Sequence, residues 1–240
     1  MPEFRADEPN AVAAAGVATG TNSIGLRGDG VFAGVFGASV SGEGVHAHTE
    51  SDKSPALAAF NINPGSDRAA IFAKKDGEKG HAGFFDGNVH ITRSLFVTGD
   101  VTLPNADFAE DFHVADAAAA DPGTVMVLSD EEALQPSNKP YDKRVAGVVS
   151  GAGAYKPGIV LDKHPGATDR LPIALLGKAY CKVDASYGPV EVGDLLTTSP
   201  SVGYAMKVID SYSAFGSVIG KALRALPSGQ ALIPVFITLQ

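Results

Sequence analysis

The chain has 240 residues, 45% of them hydrophobic and only 19% charged, with 28 Gly, 15 Pro and a formal net charge of −8. This is the composition of a turn-rich β protein, not of a helical bundle, and its acidic balance repels phosphate backbones and anionic lipid heads, which argues against nucleic acid as a partner. The single cysteine, Cys181, permits no intrachain disulfide, and no apolar run approaches the roughly 18 residues of a membrane-spanning helix.

Residues 1–15 read as a disordered leader. Met1–Asn10 is polar and acidic, unlike a signal peptide, and Ala11–Ala15 is a short alanine-rich connection. Residues 16–87 read as a glycine-repeat β module. Gly16-Val17, Gly25-Leu26, Gly30-Val31, Gly34-Val35 and Gly44-Val45 repeat a glycine followed by an apolar residue, and Gly34–Ser39 is answered ten residues later by Gly44–Thr49. Such a period suits short strands separated by glycine turns, as in β-solenoids and intertwined β-fibres. Short apolar runs follow at Ala56–Ile62, Ala69–Ala73 and Ala82–Phe85, each closed by a turn signal: Asn63–Ser66, Lys74–Gly80 and Asp86-Gly87.

Asn88–Leu103 organises the rest. Val89, Ile91, Leu95, Val97, Val101 and Leu103 share one parity, interrupted by Arg93 and Gly99. The other parity is polar except for Phe96. Alternation of this kind describes an extended ribbon with one apolar edge, longer than the usual strand of about 5–6 residues, with a bend expected at Gly99-Asp100. One ribbon cannot bury its own stripe. Three copies around an axis would turn three stripes into one dry core, so residues 88–104 read as a trimeric β stalk.

Residues 105–240 read as a C-terminal β domain. Strands are expected at Thr124–Leu128, Val145–Ser150, Ile159–Leu161, Leu171–Leu176, Ala179–Val183, Pro189–Val192, Leu195–Thr198, Ala205–Val208, Ser217–Ile219 and Ala231–Leu239. Brief helical turns are expected at Asp130–Leu134 and Lys221–Leu226. Cys181 lies within a strand-like run and reads as a small buried hydrophobe.

The chemistry-bearing residues are few. Asp107, Glu110, Asp111 and His113 form the densest acidic cluster, but their spacing matches no usual metal-ligand pattern, and they read as a solvated or capping segment. His46 and His48 share one strand face and are the candidates for an axial metal in a trimer; otherwise no metal or cofactor is expected. Ser150, Ser186, Ser199 and His164 supply no nucleophile–base spacing; Lys143 or Lys207 with a serine could form a dyad. Gly28-x-Gly30 and Gly42-x-Gly44 precede strands, whereas a phosphate loop would open a helix. Tyr141, Tyr155, Tyr187, Tyr204 and Tyr212 lie near turns, where they could serve a sugar-binding tip or fill corners of the domain.

Several motifs of the second half carry a resemblance: Gly99-Asp100-Val101 leading to Asn105–Phe112, Asp121–Val125, Pro140–Ser150, Lys182–Ala185, Gly188–Leu196, Gly203–Lys207 and Ile219–Leu223. As a set, over about Gly87–Gln240, they resemble the C-terminal domains of phage tail-fibre and tail-spike-like proteins and related bacterial surface or injection-particle fibres. They are also similar to the intramolecular-chaperone, self-cleaving endopeptidase domains of the peptidase G2 type. The resemblance implies a homotrimeric stalk. It does not carry a cleavage site, because no Ser/Lys or Ser/His constellation matches residue by residue.

The expectation is an all-β homotrimeric fibre or spike component of a phage, a phage-like particle or a bacterial surface fibre, with structural rather than enzymatic work to do. Its partners would be itself, other fibre or baseplate proteins, and a cell-surface receptor or glycan. It would be made in the cytoplasm and act on a virion or outside the cell. The alternatives are a self-cleaving chaperone domain and a glycan-binding tip.

Overall fold

The computed structural model describes residues 35–130 and 132–239. The expected leader and the glycine repeats before residue 35 lie outside them. The chain divides into two units that meet at Thr92 and Arg93.

In the first unit, residues 35–92 carry local turns and no strand among the described residues. The Asn63–Ser66 turn forms as its residues dictate: the Ser66 amide donates to the Asn63 carbonyl at 3.1 Å, and the Gly65 amide donates to Asn63 Oδ1 at 3.0 Å. A Cβ on Gly37 would lie 2.5 Å from the carbonyl oxygen of Gly44. The two halves of the ten-residue repeat therefore meet backbone to backbone, where only glycine fits.

The second unit is all-β, with ten strands and three single helical turns. The strands are β1 (Asp107–His113), β2 (Val125–Leu128), β3 (Leu134–Pro136), β4 (Val145–Val149), β5 (Pro157–Leu161), β6 (Arg170–Asp184), β7 (Leu195–Thr198), β8 (Ala205–Lys207), β9 (Val218–Ala222) and β10 (Gln230–Thr238). Strand β6 is their common spine. Its second half runs antiparallel to β10, with Asp184 opposite Gln230 and Leu176 opposite Thr238. From β10 the ladder passes to β9, then β7, then β8. It returns to β6 through the parallel pair Val183 and Ala205, so five strands close into a barrel and leave no free edge between them. The first half of β6 pairs instead with β1 on one side and with β4 on the other. Beyond them, β5 lies parallel to β1, and β2 and β3 extend from β4.

Period-2 alternation sets the core. On β6, Ala179, Cys181 and Val183 are buried, and they stand opposite Val235, Ile233 and Ala231 of β10. The intervening Tyr180 and Lys182 are only half-buried. These inward residues, with Leu196 and Ile219, fill the barrel. A second cluster, including Met126, Leu134, Val149 and Ile173, lies under the β2–β4 side. Burying each such side chain contributes about 1.5–3 kcal/mol.

Three expectations are corrected. Pro189–Val192 is not a strand and holds only the isolated bridge of Val190 to Leu226. The runs Leu171–Leu176 and Ala179–Val183 are one fifteen-residue strand, not two. Gly177, with φ +103°, exchanges the β1 partner for β10, and a Cβ there would lie 2.6 Å from the Ala106 carbonyl oxygen. The helical turns fall elsewhere than expected. Leu134 starts β3, and Lys221 and Ala222 end β9. The α-helical turn is α1, Ser211–Ala214, where the Asp210 carboxylate accepts hydrogen bonds from the Tyr212 amide and the Ser213 hydroxyl. Short 3-10 turns occupy Ala117–Ala119 and Ala185–Tyr187. No helix of the described residues is long and apolar enough to cross a membrane.

Candidate functional site: an unpartnered apolar ribbon

The side chains expected to form a trimer core are exposed in the single chain. Val89 is 58% exposed, Leu95 69% and Val101 64%; Ile91, Val97 and Leu103 lie between 44% and 48%. No strand forms over residues 88–103. Among the described residues their peptide groups have no ladder, and the stripe has nothing to pack against. The residues before it are equally bare: Phe36, Phe60, Phe72 and Phe84 are each at least 80% exposed. Apolar surface on this scale marks an interaction surface in a soluble protein.

His46 and His48 are exposed. His46 Nδ1 stands 2.5 Å from Glu43 Oε2. Among the described residues, no three His, Cys, Asp or Glu side chains gather as a metal site.

The acidic cluster is not a solvated or capping segment. Asp107–His113 is strand β1, and its buried parity is Asp107, Ala109 and Asp111. The Ser150 hydroxyl donates to Asp107 Oδ2 at 2.7 Å, while Asp107 Oδ1 is buried without a hydrogen-bond partner. Burial raises the Asp107 pKa, partly offset by the bond from Ser150. His113 pairs at the surface with Asp169 at 3.0 Å.

The candidate nucleophiles and bases are held apart. Ser199 is buried and donates to the carbonyls of Ser201 and Tyr204. The Ser186 amide caps on Asp184. His164 faces Asp162 at 3.0 Å, Lys207 pairs with Asp194 at 2.8 Å, and Lys143 is exposed. Cys181 is fully buried in the barrel, with its thiol pushed up to about 12 by that burial.

The tyrosines do not converge. The Tyr141 hydroxyl accepts from the amides of Ile209 and Asp210, both at 3.0 Å, and anchors the approach to α1. Tyr155 packs against Tyr180 at 5.2 Å, and Tyr187 reaches the Ser201 hydroxyl at 3.3 Å. Tyr204 is half-buried. Tyr212 alone is open, at 95% exposure, and beside it are Phe215 at 93% and Ile209 at 72%. They flank a groove of about 230 Å³ lined by Leu195, Val208, Ala214, Phe215 and Val218. Phe215 and Ile209 carry no sequence signal that sets them apart from core residues.

No family model matches the chain, and no curated protein matches it. Among solved structures it is similar to the C-terminal fragment of bacteriophage phi29 gene product 12, at a TM-score of 0.37 and 13% sequence identity, over 55% of this chain and 100% of that one. The all-β assignment stands on the strand pairing itself.

Proposed function

We propose that this chain is a structural component of a homotrimeric fibre or spike, belonging to a phage, a phage-like particle or a bacterial surface fibre, and that it presents a distal receptor-contacting or capping surface. The observation that carries the reading is the bare stripe: six alternating apolar side chains, each at least 44% exposed in one chain, with no ladder for their backbone. Complete burial of each would contribute about 1.5–3 kcal/mol. Each is already about half buried, so the gain is roughly half that figure, and summed over three copies of six it is comparable with an association cost of about 4–15 kcal/mol for each copy joined. The choice of particle rests on the motif set from Gly99 to Leu223.

The experiment is the absolute mass of the full chain by light scattering. A mass near three times 24.6 kDa is expected. Val97→Asp would place three carboxylates together in an apolar core, and should yield monomer or aggregate. A monomeric wild type would overturn the trimer, and a stable trimer of Val97→Asp would overturn the assignment of the stripe as its core.

A second reading, a glycan-binding tip, is favoured by Tyr212 and Phe215 standing open beside an apolar groove. Stacking of sugar rings on exposed aromatics is the recognition this would use. A glycan array that shows binding by the wild type and none by Tyr212→Ala would support it; an array with no hits would remove it.

A further inference from the structure

The ribbon does not run straight. Its backbone bends at Asp86-Gly87, Thr92-Arg93, Thr98-Gly99 and Pro104-Asn105, and between the bends lie three unbent segments, residues 88–91, 94–97 and 100–103. The bends recur every six residues. With this period the residues align without exception. Val89, Leu95 and Val101 take one position, Ile91, Val97 and Leu103 another, and His90, Phe96 and Thr102 the position between. Gly87, Arg93, Gly99 and Asn105 all fall at the bends. Both interruptions of the stripe are thereby explained. Arg93 and Gly99 interrupt the stripe because they are bend residues. Phe96, on the parity opposite the stripe, is 90% exposed.

We infer that residues 86–105 are three rungs of a six-residue repeat, and that each rung is closed by the corresponding rung of two other copies of this chain. The inference rests on the homotrimer reading and specifies its architecture. One copy supplies three sides, and those sides pair with nothing among the described residues. An extended backbone side placed in a dry core needs hydrogen-bonding neighbours. A partner must match a six-residue period to pair with all three sides, and an identical chain does so by construction. Three copies give three stacked apolar layers: Val89 with Ile91, Leu95 with Val97, and Val101 with Leu103. A straight ribbon has no reason to bend at equal intervals, and none for Arg93 on its apolar edge.

The two architectures differ in the deletions they tolerate. Removing residues 94–99 takes out one whole rung and keeps both the bends and the alternation in phase. Removing residues 94–97 keeps the alternation but puts the bends out of phase. The mass of each full-length variant is read by light scattering, and trimer dissociation by thermal melting. The six-residue deletion should remain trimeric, with a lower melting temperature because one layer is gone. The four-residue deletion should lose the trimer mass. Should both deletions dissociate, the matched insertions decide: a second copy of residues 94–99 should preserve the trimer, and a second copy of residues 94–97 should not. Equal behaviour of the four- and six-residue insertions, or of deletions that both stay trimeric, on a trimeric wild type would overturn the rung repeat alone. A monomeric wild type would overturn it together with the trimer.

Discussion

Ser150 donates its hydroxyl hydrogen to Asp107 Oδ2 at 2.7 Å, while the other oxygen of the same carboxylate lies buried without a partner. The pair ties the start of β1 to the end of β4. It satisfies only half of a group that burial disfavours in its charged form.

This sets a pH signature. Because the folded pKa of Asp107 lies above its ordinary 3.8, the group's contribution is fully present below that value and is lost as pH rises through the folded pKa. Asp107→Asn removes the buried charge and should stabilise the domain at pH 7, by about 1 kcal/mol. The gain should vanish below pH 3.8. Thermal melts of both proteins at pH 7 and pH 3.5 check it. A lower melting temperature for the variant at pH 7 would mean that the ionised carboxylate is held by a favourable partner.

Asp184 has the opposite slope. Burial alone would raise its pKa, but hydrogen bonds from Gln230, Ser201 and Ser186 together bring it to about 2. Its contribution is therefore present above about pH 3.8 and is lost as pH falls towards 2. Asp184→Ala should cost about 2–3 kcal/mol at neutral pH, and much less near pH 2. Denaturant titrations at the two pH values would show whether the difference closes.

Gly220 lies in β9 opposite Ile237 of β10. A Cβ added there would stand 2.0 Å from the Phe236 carbonyl oxygen. Gly220→Ala must spread two strands of the closed barrel, at a cost of about 3 kcal/mol or more. The melting temperature reads the loss, and a variant within one degree of wild type would show that the strands separate freely at this point.

Cys181 is enclosed by the barrel and its thiol is pushed up to about 12. A thiol reagent needs the thiolate, so labelling of the native protein at pH 7 should proceed only as fast as the barrel unfolds. Rapid stoichiometric labelling under native conditions would contradict the closed ring of β6, β10, β9, β7 and β8.

Most strands after Asp121 were legible because apolar alternation and turn residues coincide there; the exceptions are β3, unexpected as a strand, and Pro189–Val192, which holds only the isolated bridge of Val190 to Leu226. Four features were not. Strand β1 hides its character because Asp107 and Asp111 occupy the buried parity while Phe108 and Phe112 are only half-buried, which inverts the usual cue. Gly177 reads as a break, yet it is the residue that lets one strand serve two sets of neighbours. The six-residue bends of the ribbon are masked because two divides six: an alternating stripe fits both periods, and only the spacing of the bends separates them. The groove beside α1 was missed because Phe215 and Ile209 are apolar residues among many, and nothing in the sequence marks a four-residue helix as the place where they turn outward.

The position of β1 bears on how the domain takes up force. It is the first strand after the ribbon, held along Asp107–Glu110 by β5 and along Asp107–His113 by β6. Tension drawn along the axis of that strand cannot peel its hydrogen bonds one by one; it must shear two ladders at once. The same residues lean on the longest strand of the fold, and that strand is also a stave of the barrel. A pull directed along β1 is thus handed to the stiffest part of the domain before any loop is stretched.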